Sequence, residues 1–201
     1  MFERISDIIA EMGYAGIALL TFLENIFLPM PSELIVPAAG FAVARGELNA
    51  SGVVLAGAAG SLAGALPWYY AGYFLGAKRL ERLASRHGRW IALSPKEIEH
   101  SLAWFRRHGG KAVFAGRLIP AVRTLISVPA GIAHMKLGRF LAFSAAGTLL
   151  WTGLLCWVGY ALGDQYHKVA DYLGPVSTIV VALIVLLYVW RVATFRSHRP
   201  G

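Results

Sequence analysis

Two apolar stretches of this chain carry residues that a plain membrane helix excludes, and they limit its folding more than any other feature. Residues 27–44 (FLPMPSELIVPAAGFAVA) hold Pro29, Pro31 and Pro37 together with the carboxylate of Glu33. Residues 115–135 (AGRLIPAVRTLISVPAGIAHM) hold Pro120 and Pro129 together with Arg117 and Arg123. Each proline removes a backbone donor and breaks or kinks a helix. Each ionisable group at the bilayer centre costs at least about 2.5 kcal/mol. Interrupted backbone survives at membrane depth only where protein or a watery cavity satisfies its polar groups. Both segments therefore read as re-entrant hairpins that dip into the bilayer and return to the same face. The alternative is a pair of kinked spanning helices.

The surrounding sequence makes the bilayer the relevant solvent. A spanning helix needs ~20 mainly apolar residues, and four stretches approach that: residues 8–23, 53–76, 140–163 and 172–190, the last closed by Arg191, Arg196 and Arg199. Hydrophobic residues make up 57% of the chain and charged residues 15%, against roughly 25% charged in a soluble domain. A soluble protein of 201 residues could not hide so much apolar surface, and disorder requires far less of it. The length fits one domain, residues 1–201.

A net charge of +8 suggests nucleic acid in a soluble chain. Here the bases are zoned. Lys78, Arg79, Arg82, Arg86, Arg89, Lys96, Arg106, Arg107 and Lys111 fall in one connection, residues 77–111, between apolar stretches. No stacking or groove-reading motif accompanies them, so no nucleic-acid partner is expected, and the zone reads as cytoplasmic. Within it, Ser94 and Pro95 open a helix in cap and first position. Ile98, Leu102 and Phe105 form its apolar stripe, which predicts an amphipathic helix lying on the cytoplasmic face. The N-terminal MFERISDIIAEMG has no basic region followed by a cleavage site, so no cleaved signal peptide is expected. Cys156 is the single cysteine, which excludes an internal disulfide and a cysteine metal cluster. The histidines show no metal spacing, His134 reading as interfacial, and neither a metal nor a cofactor is expected.

The two halves resemble each other. Residues 29–40 and 120–131 share their spacing, with Pro37 and Pro129 near the same place. Downstream, AAGSLAGALPWYYAGYFLG (58–76) aligns with AAGTLLWTGLLCWVGYALG (145–163), sharing Ala58/Ala145, Ala59/Ala146, Gly60/Gly147, Gly72/Gly159, Tyr73/Tyr160 and Gly76/Gly163. The offset drops from 91 (29 to 120) to 87 (58 to 145), so a gap lies between the two matches. Repeats of about 24–76 and 115–163 follow. If each is one hairpin plus one span, the second copy is inverted. The expected fold is all-α: two inverted re-entrant hairpins, about four transmembrane helices and both ends in the cytoplasm. Inverted repeats with interrupted segments at matched places point to a transporter site near the midplane. Gly60/Gly64, Gly72/Gly76 and Gly159/Gly163 read as small-residue pairs for close helix packing.

Four charges remain that hydrocarbon rejects unless they are paired: Glu24, Glu33, Arg117 and Arg123. The acids lie in the first half and the bases in the second, so hairpins that meet would make them partners, at far lower cost than isolated ions. A guanidinium presents a planar fork suited to carboxylate or phosphate. The reading is that Arg117 and Arg123 bind an anionic head group, while Glu24 and Glu33 neutralise them in the empty state and carry protons. The competing reading has these ions snorkel to separate interfaces and fix topology. Zincin, Walker and nucleophile-elbow motifs are absent, and Ser85-Arg86-His87 matches only a fragment of a lipid phosphatase site. No enzyme is expected.

FLENIFLPMPSELIVPAAG together with GRLIPAVRTLISVPAGIAHMKLGRF resembles the DedA family of bacterial membrane proteins, related to the SNARE-associated Golgi (VTT) domain proteins. The resemblance covers residues 12–190 and rests on an acidic LEN…PxPSE segment and a GRxIPxxRT segment. Leu118 and Ala121 replace the commoner aromatic and glycine, leaving the charges intact. The resemblance implies translocation of polyprenyl phosphate carriers, chiefly undecaprenyl phosphate, across the bacterial inner membrane. It implies proton-dependent transport or phospholipid scrambling for other relatives. The family's functional acids and arginines fall on Glu24, Glu33, Arg117 and Arg123. Membrane lipids are the implied partners, homo-oligomerisation is left open, and the alternative of a different class is a structural or assembly factor.

Overall fold

The computed structural model describes residues 2–26, 35–91 and 95–163. Among them seven helices follow one another without a strand: α1 (Phe2–Ile26), α2 (Ile35–Ala44), α3 (Ala50–Ile91), α4 (Pro95–Arg117), α5 (Pro120–Arg123), α6 (Ser127–Ile132) and α7 (Leu137–Leu162). Two are long and apolar enough to cross a membrane, the Ala50–Ala77 part of α3 and the whole of α7. Both fall where apolar length predicts a span. The 26 residues of α7 reach about 39 Å at 1.5 Å each, more than the ~30 Å hydrocarbon core. Its outer side bears Leu150, Leu154, Trp157 and Tyr160, all exposed, an apolar surface suited to lipid rather than water.

The other two expected spans differ. The stretch at 8–23 is not a straight rod, because α1 bends at Gly13, whose φ of 56° and ψ of −129° are non-helical. The stretch at 172–190 lies outside the described residues. Gly76 and Gly163, expected to pack against a neighbouring helix, have φ of +65° and +46° and no atom within 4 Å of a would-be Cβ. They are backbone breaks of the kind glycine tolerates. At Gly163 the backbone N–H bonds the Gly159 carbonyl and closes α7.

The segment at 115–135 is interrupted twice. After Arg117 the chain turns through an extended Ile119 (φ −107°, ψ 114°), and Pro120 opens α5. Proline fits that first position because its missing N–H has no helical partner there. After Arg123 comes a second turn, then α6, which ends before His134 at φ 50°. Two short helices, α5 and α6, thus follow α4 in this segment. Of the matching segment in the first half, α2 is described, whereas residues 27–34, with Pro29, Pro31 and Glu33, lie outside the described residues.

The short helices pack across the halves. Gly40 of α2 faces the Cys156 carbonyl of α7, and Gly159 of α7 faces the Pro37 carbonyl of α2. In the same manner Gly131 of α6 faces the Tyr69 carbonyl of α3, and Gly72 of α3 faces the Val128 carbonyl of α6. The positions correspond by the two offsets found in the sequence, so one joint is built twice with partners exchanged. A Cβ at any of these glycines would strike backbone, and its absence lets the helices approach closely, which is how helices associate in lipid.

α1 lies on α3, with Gly60 against the Ala18 carbonyl and Thr21, and Gly64 against the Phe22 carbonyl. α4 lies on α7 in the same way, with Gly147 against the Phe114 carbonyl and the Arg117 side chain. One correction concerns the amphipathic stripe. Leu102 and Phe105 are each 4% exposed and belong to apolar clusters with Ile132 and with Tyr69 and Phe140 respectively. These two residues of the stripe therefore face protein rather than the membrane surface, because α4 continues unbroken to Arg117 and packs on α6 and α7.

Candidate functional site

Three helix ends converge on one cavity. Glu24 sits in the last turn of α1, Arg117 ends α4 and Arg123 ends α5, and all three line the same enclosed space between α1, α3 and α7. Arg117 and Arg123 are placed there by the breaks that end α4 and α5. The fourth expected residue, Glu33, lies outside the described residues.

Glu24 is 6% exposed, and its carboxylate is held by the Arg123 guanidinium, an ion pair between the two halves of the chain. Pairing makes the burial of both tolerable. Arg117 is 2% exposed. Its Nε donates to Ser144 Oγ at 3.4 Å and its Nη2 to Ser127 Oγ at 3.2 Å, both long for charge-assisted bonds. The guanidinium lies 5.8 Å from the Phe140 ring centre. Among the described residues no carboxylate pairs with Arg117, and its Nη1 is buried without a partner. Separate snorkelling of these three ions does not describe this geometry.

Asn25, which the sequence reading passed over, ties the site together. It is 1% exposed. Its Nδ2 donates to Ser61 Oγ at 3.0 Å and to the Thr21 carbonyl at 3.2 Å. Its Oδ1 accepts from Thr124 Oγ1 at 3.4 Å, and its carbonyl accepts from Trp68 Nε1 at 2.7 Å. One residue thereby joins α1, α3 and the turn after α5. The signal available in the sequence was a lone amide within an apolar run, since a buried amide must find partners.

The cavity leaves about 10 Å³, room for about one water molecule. Thr21, Ser61, Thr148 and Thr152 contribute hydroxyls, and Trp151 contributes an indole. Among the described lining residues two guanidiniums stand against one carboxylate, and the unengaged groups are donors, so the chemistry of these residues favours an anion. On the same α3–α7 seam, an open groove of about 520 Å³ is lined by Val43, Val54, Leu55, Cys156, Trp157 and Tyr160 among others, and none of its described lining residues is charged. His134 is exposed, its ring 4.5 Å from that of Tyr73, and among the described residues no group of His, Cys, Asp and Glu is arranged to hold a metal.

The model of the VTT domain matches residues 30–161 of the chain. An "Alkaline phosphatase-like protein" of Lactococcus lactis subsp. cremoris is 40% identical, over 99% of this chain and 94% of that protein. "Undecaprenyl phosphate transporter A" of Staphylococcus aureus is 33% identical, over 99% of this chain and 98% of that protein. "Protein DedA" of Escherichia coli is 29% identical, over 98% of this chain and 89% of that protein. No solved structure matches the chain. Interrupted apolar segments, paired ions at their ends and these likenesses agree, and the chain belongs to the VTT-domain, or DedA, family of membrane proteins.

Proposed function

We propose that this protein moves a lipid phosphate carrier, of the undecaprenyl phosphate kind, across the bacterial inner membrane. One observation carries the reading: a buried Arg117 with an unengaged N–H faces the same cavity as the Glu24–Arg123 pair. An arriving phosphate displaces Glu24 from Arg123 and takes both guanidiniums. The released Glu24, in a poorly solvated site, takes up a proton, which couples head-group movement to proton movement, and Glu33 is the second candidate for that role. A phosphate needs such a route because carrying its charge through hydrocarbon is prohibitive. The apolar tail stays in lipid along the groove on the same α3–α7 seam.

In this reading the interrupted segments are re-entrant hairpins of two inverted repeats, about 24–76 and 115–163, and the duplicated glycine joints are where they rock against the spans. The basic connection lies in the cytoplasm, as do both ends of a multi-pass chain. The name of the Staphylococcus relative supports the substrate class. A phosphatase activity of the kind in the Lactococcus relative's name does not suit this cavity. Among the described residues lining the cavity, no histidine or second carboxylate stands ready to activate its hydroxyls, as a hydrolytic nucleophile requires.

Transport by purified protein in liposomes tests the proposal, with undecaprenyl phosphate compared against ordinary phospholipids. Movement of the phosphate carrier alone is the expected result. Equal movement of both makes the protein a scramblase, and movement of neither leaves a structural or assembly role.

A further inference from the structure

We infer that Trp151 is a head-group-binding residue, its indole N–H donating beside Arg117 Nη1 to the terminal oxygens of a phosphate monoester. The inference rests on the transport reading for its ligand, but its evidence is separate. Among the described residues, only two buried side-chain polar atoms lack a hydrogen-bond partner: Arg117 Nη1 and Trp151 Nε1. Both residues line the same cavity. Buried polar groups are otherwise almost always satisfied, and exceptions require a reason. Both atoms are donors with no accepting capacity, so the partner they lack is an acceptor. The one carboxylate among the described residues lining the cavity is already held by Arg123.

Duplication within the chain sharpens the point. The position equivalent to Trp151 in the first half is Gly64, where even a Cβ would lie 2.6 Å from Asn25 Cβ and 2.8 Å from the Phe22 carbonyl oxygen. The position matching Arg117 by the offset of 91 is Ile26, which has no side-chain donor, and the residue that meets Gly60 as Arg117 meets Gly147 is Thr21. The Thr21 hydroxyl is engaged by the Ile17 carbonyl at 2.9 Å. The glycine joints that hold the fold are present in both halves, whereas among the described residues the two free donors occur in one half only. Folding reuses its joints and has no need of these donors; a ligand does.

The space as it stands, about 10 Å³, admits one oxygen. The Glu24 carboxylate on Arg123 occupies the place of the remaining phosphate oxygens, so the monoester enters as Glu24 leaves. Inorganic phosphate offers the same oxygens, and a single water molecule would also accept from both donors.

The test uses the full chain in lipid nanodiscs with ¹⁵N-labelled tryptophan indoles, titrated with farnesyl phosphate, farnesol and inorganic phosphate. The Trp151 signal is identified by its loss in Trp151→Phe. With farnesyl phosphate it is expected to shift and become protected from solvent exchange, and with farnesol to stay in place. Trp151→Phe is expected to weaken farnesyl phosphate binding about tenfold or more, as loss of a hydrogen bond to a charged group does. Its thermal midpoint should not fall, because the group removed is an unsatisfied donor. Farnesyl phosphate binding with an unmoved Trp151 signal, or with undiminished affinity in the variant, overturns the inference and leaves the transport reading standing. A shift with inorganic phosphate alone supports the oxyanion subsite and overturns the lipid reading. Binding of neither phosphate to the wild-type protein overturns both.

Discussion

Glu24 and Arg123 hold each other across the chain, one from the last turn of α1 and the other from the end of α5, with side chains 4% and 13% exposed. Removing one partner strands the other. Glu24→Gln is expected to destabilise by about 3–5 kcal/mol, read as a lower thermal midpoint in detergent. Exchanging the pair, Glu24→Arg with Arg123→Glu, should recover part of that loss. A double exchange no better than the worse single change would mean the two do not interact.

Arg123→Lys separates charge from shape. Lysine preserves the charge but not the planar fork, so lipid phosphate transport should fall more than tenfold while the amount of protein in the membrane is unchanged. Unaltered transport would reduce Arg123 to a topological charge.

Arg117 should behave differently from Arg123, because no carboxylate among the described residues depends on it. Arg117→Met gives up two long bonds, to Ser144 and Ser127, worth about 1 kcal/mol each, and relieves a buried charge. The variant is expected to fold with a near-normal thermal midpoint yet show no transport of the lipid phosphate in liposomes.

The exchanged joints give a prediction with an internal control. Gly40→Ala pushes a methyl into the Cys156 carbonyl and Gly131→Ala pushes one into the Tyr69 carbonyl, so each should cost about 1–3 kcal/mol, and the two costs should be similar. Gly138→Ala, which meets nothing within 4 Å, should be neutral or stabilising by up to about 1 kcal/mol. Thermal unfolding of the three variants decides.

Asn25→Leu leaves Ser61 and Thr124 without their partner and Trp68 facing a displaced carbonyl. A loss of about 1–3 kcal/mol is expected, with Trp68 becoming more accessible to an aqueous fluorescence quencher.

The parts of the fold that were legible in advance are those governed by local cost. The span in α3 and the whole of α7 follow from apolar length, and the double interruption between Arg117 and Ser127 follows from Pro120 and the arginines. The convergence of Glu24, Arg117 and Arg123 follows from the expense of an unpaired ion in oil. What was not legible depends on partners elsewhere in the chain. Gly76 and Gly163 have the spacing of packing residues, and only the backbone reveals that they end helical runs. Leu102 and Phe105 form the same stripe whether they face lipid or protein. Asn25 and Trp151 look ordinary until the residues around them are known, since periodicity carries no information on which helices adjoin.

The crossed glycine joints make the two halves clasp one another. Each short helix is covalently part of one half and packed into the other, so neither half alone supplies the surface on which its own short helix rests. A damaged notch on α3 is therefore felt first in the arm bearing Arg123, and a damaged notch on α7 in the arm that follows Glu24. Pulling the halves apart would lay bare backbone that has no other cover in oil, which ties the integrity of the ion-lined chamber to that of the whole molecule.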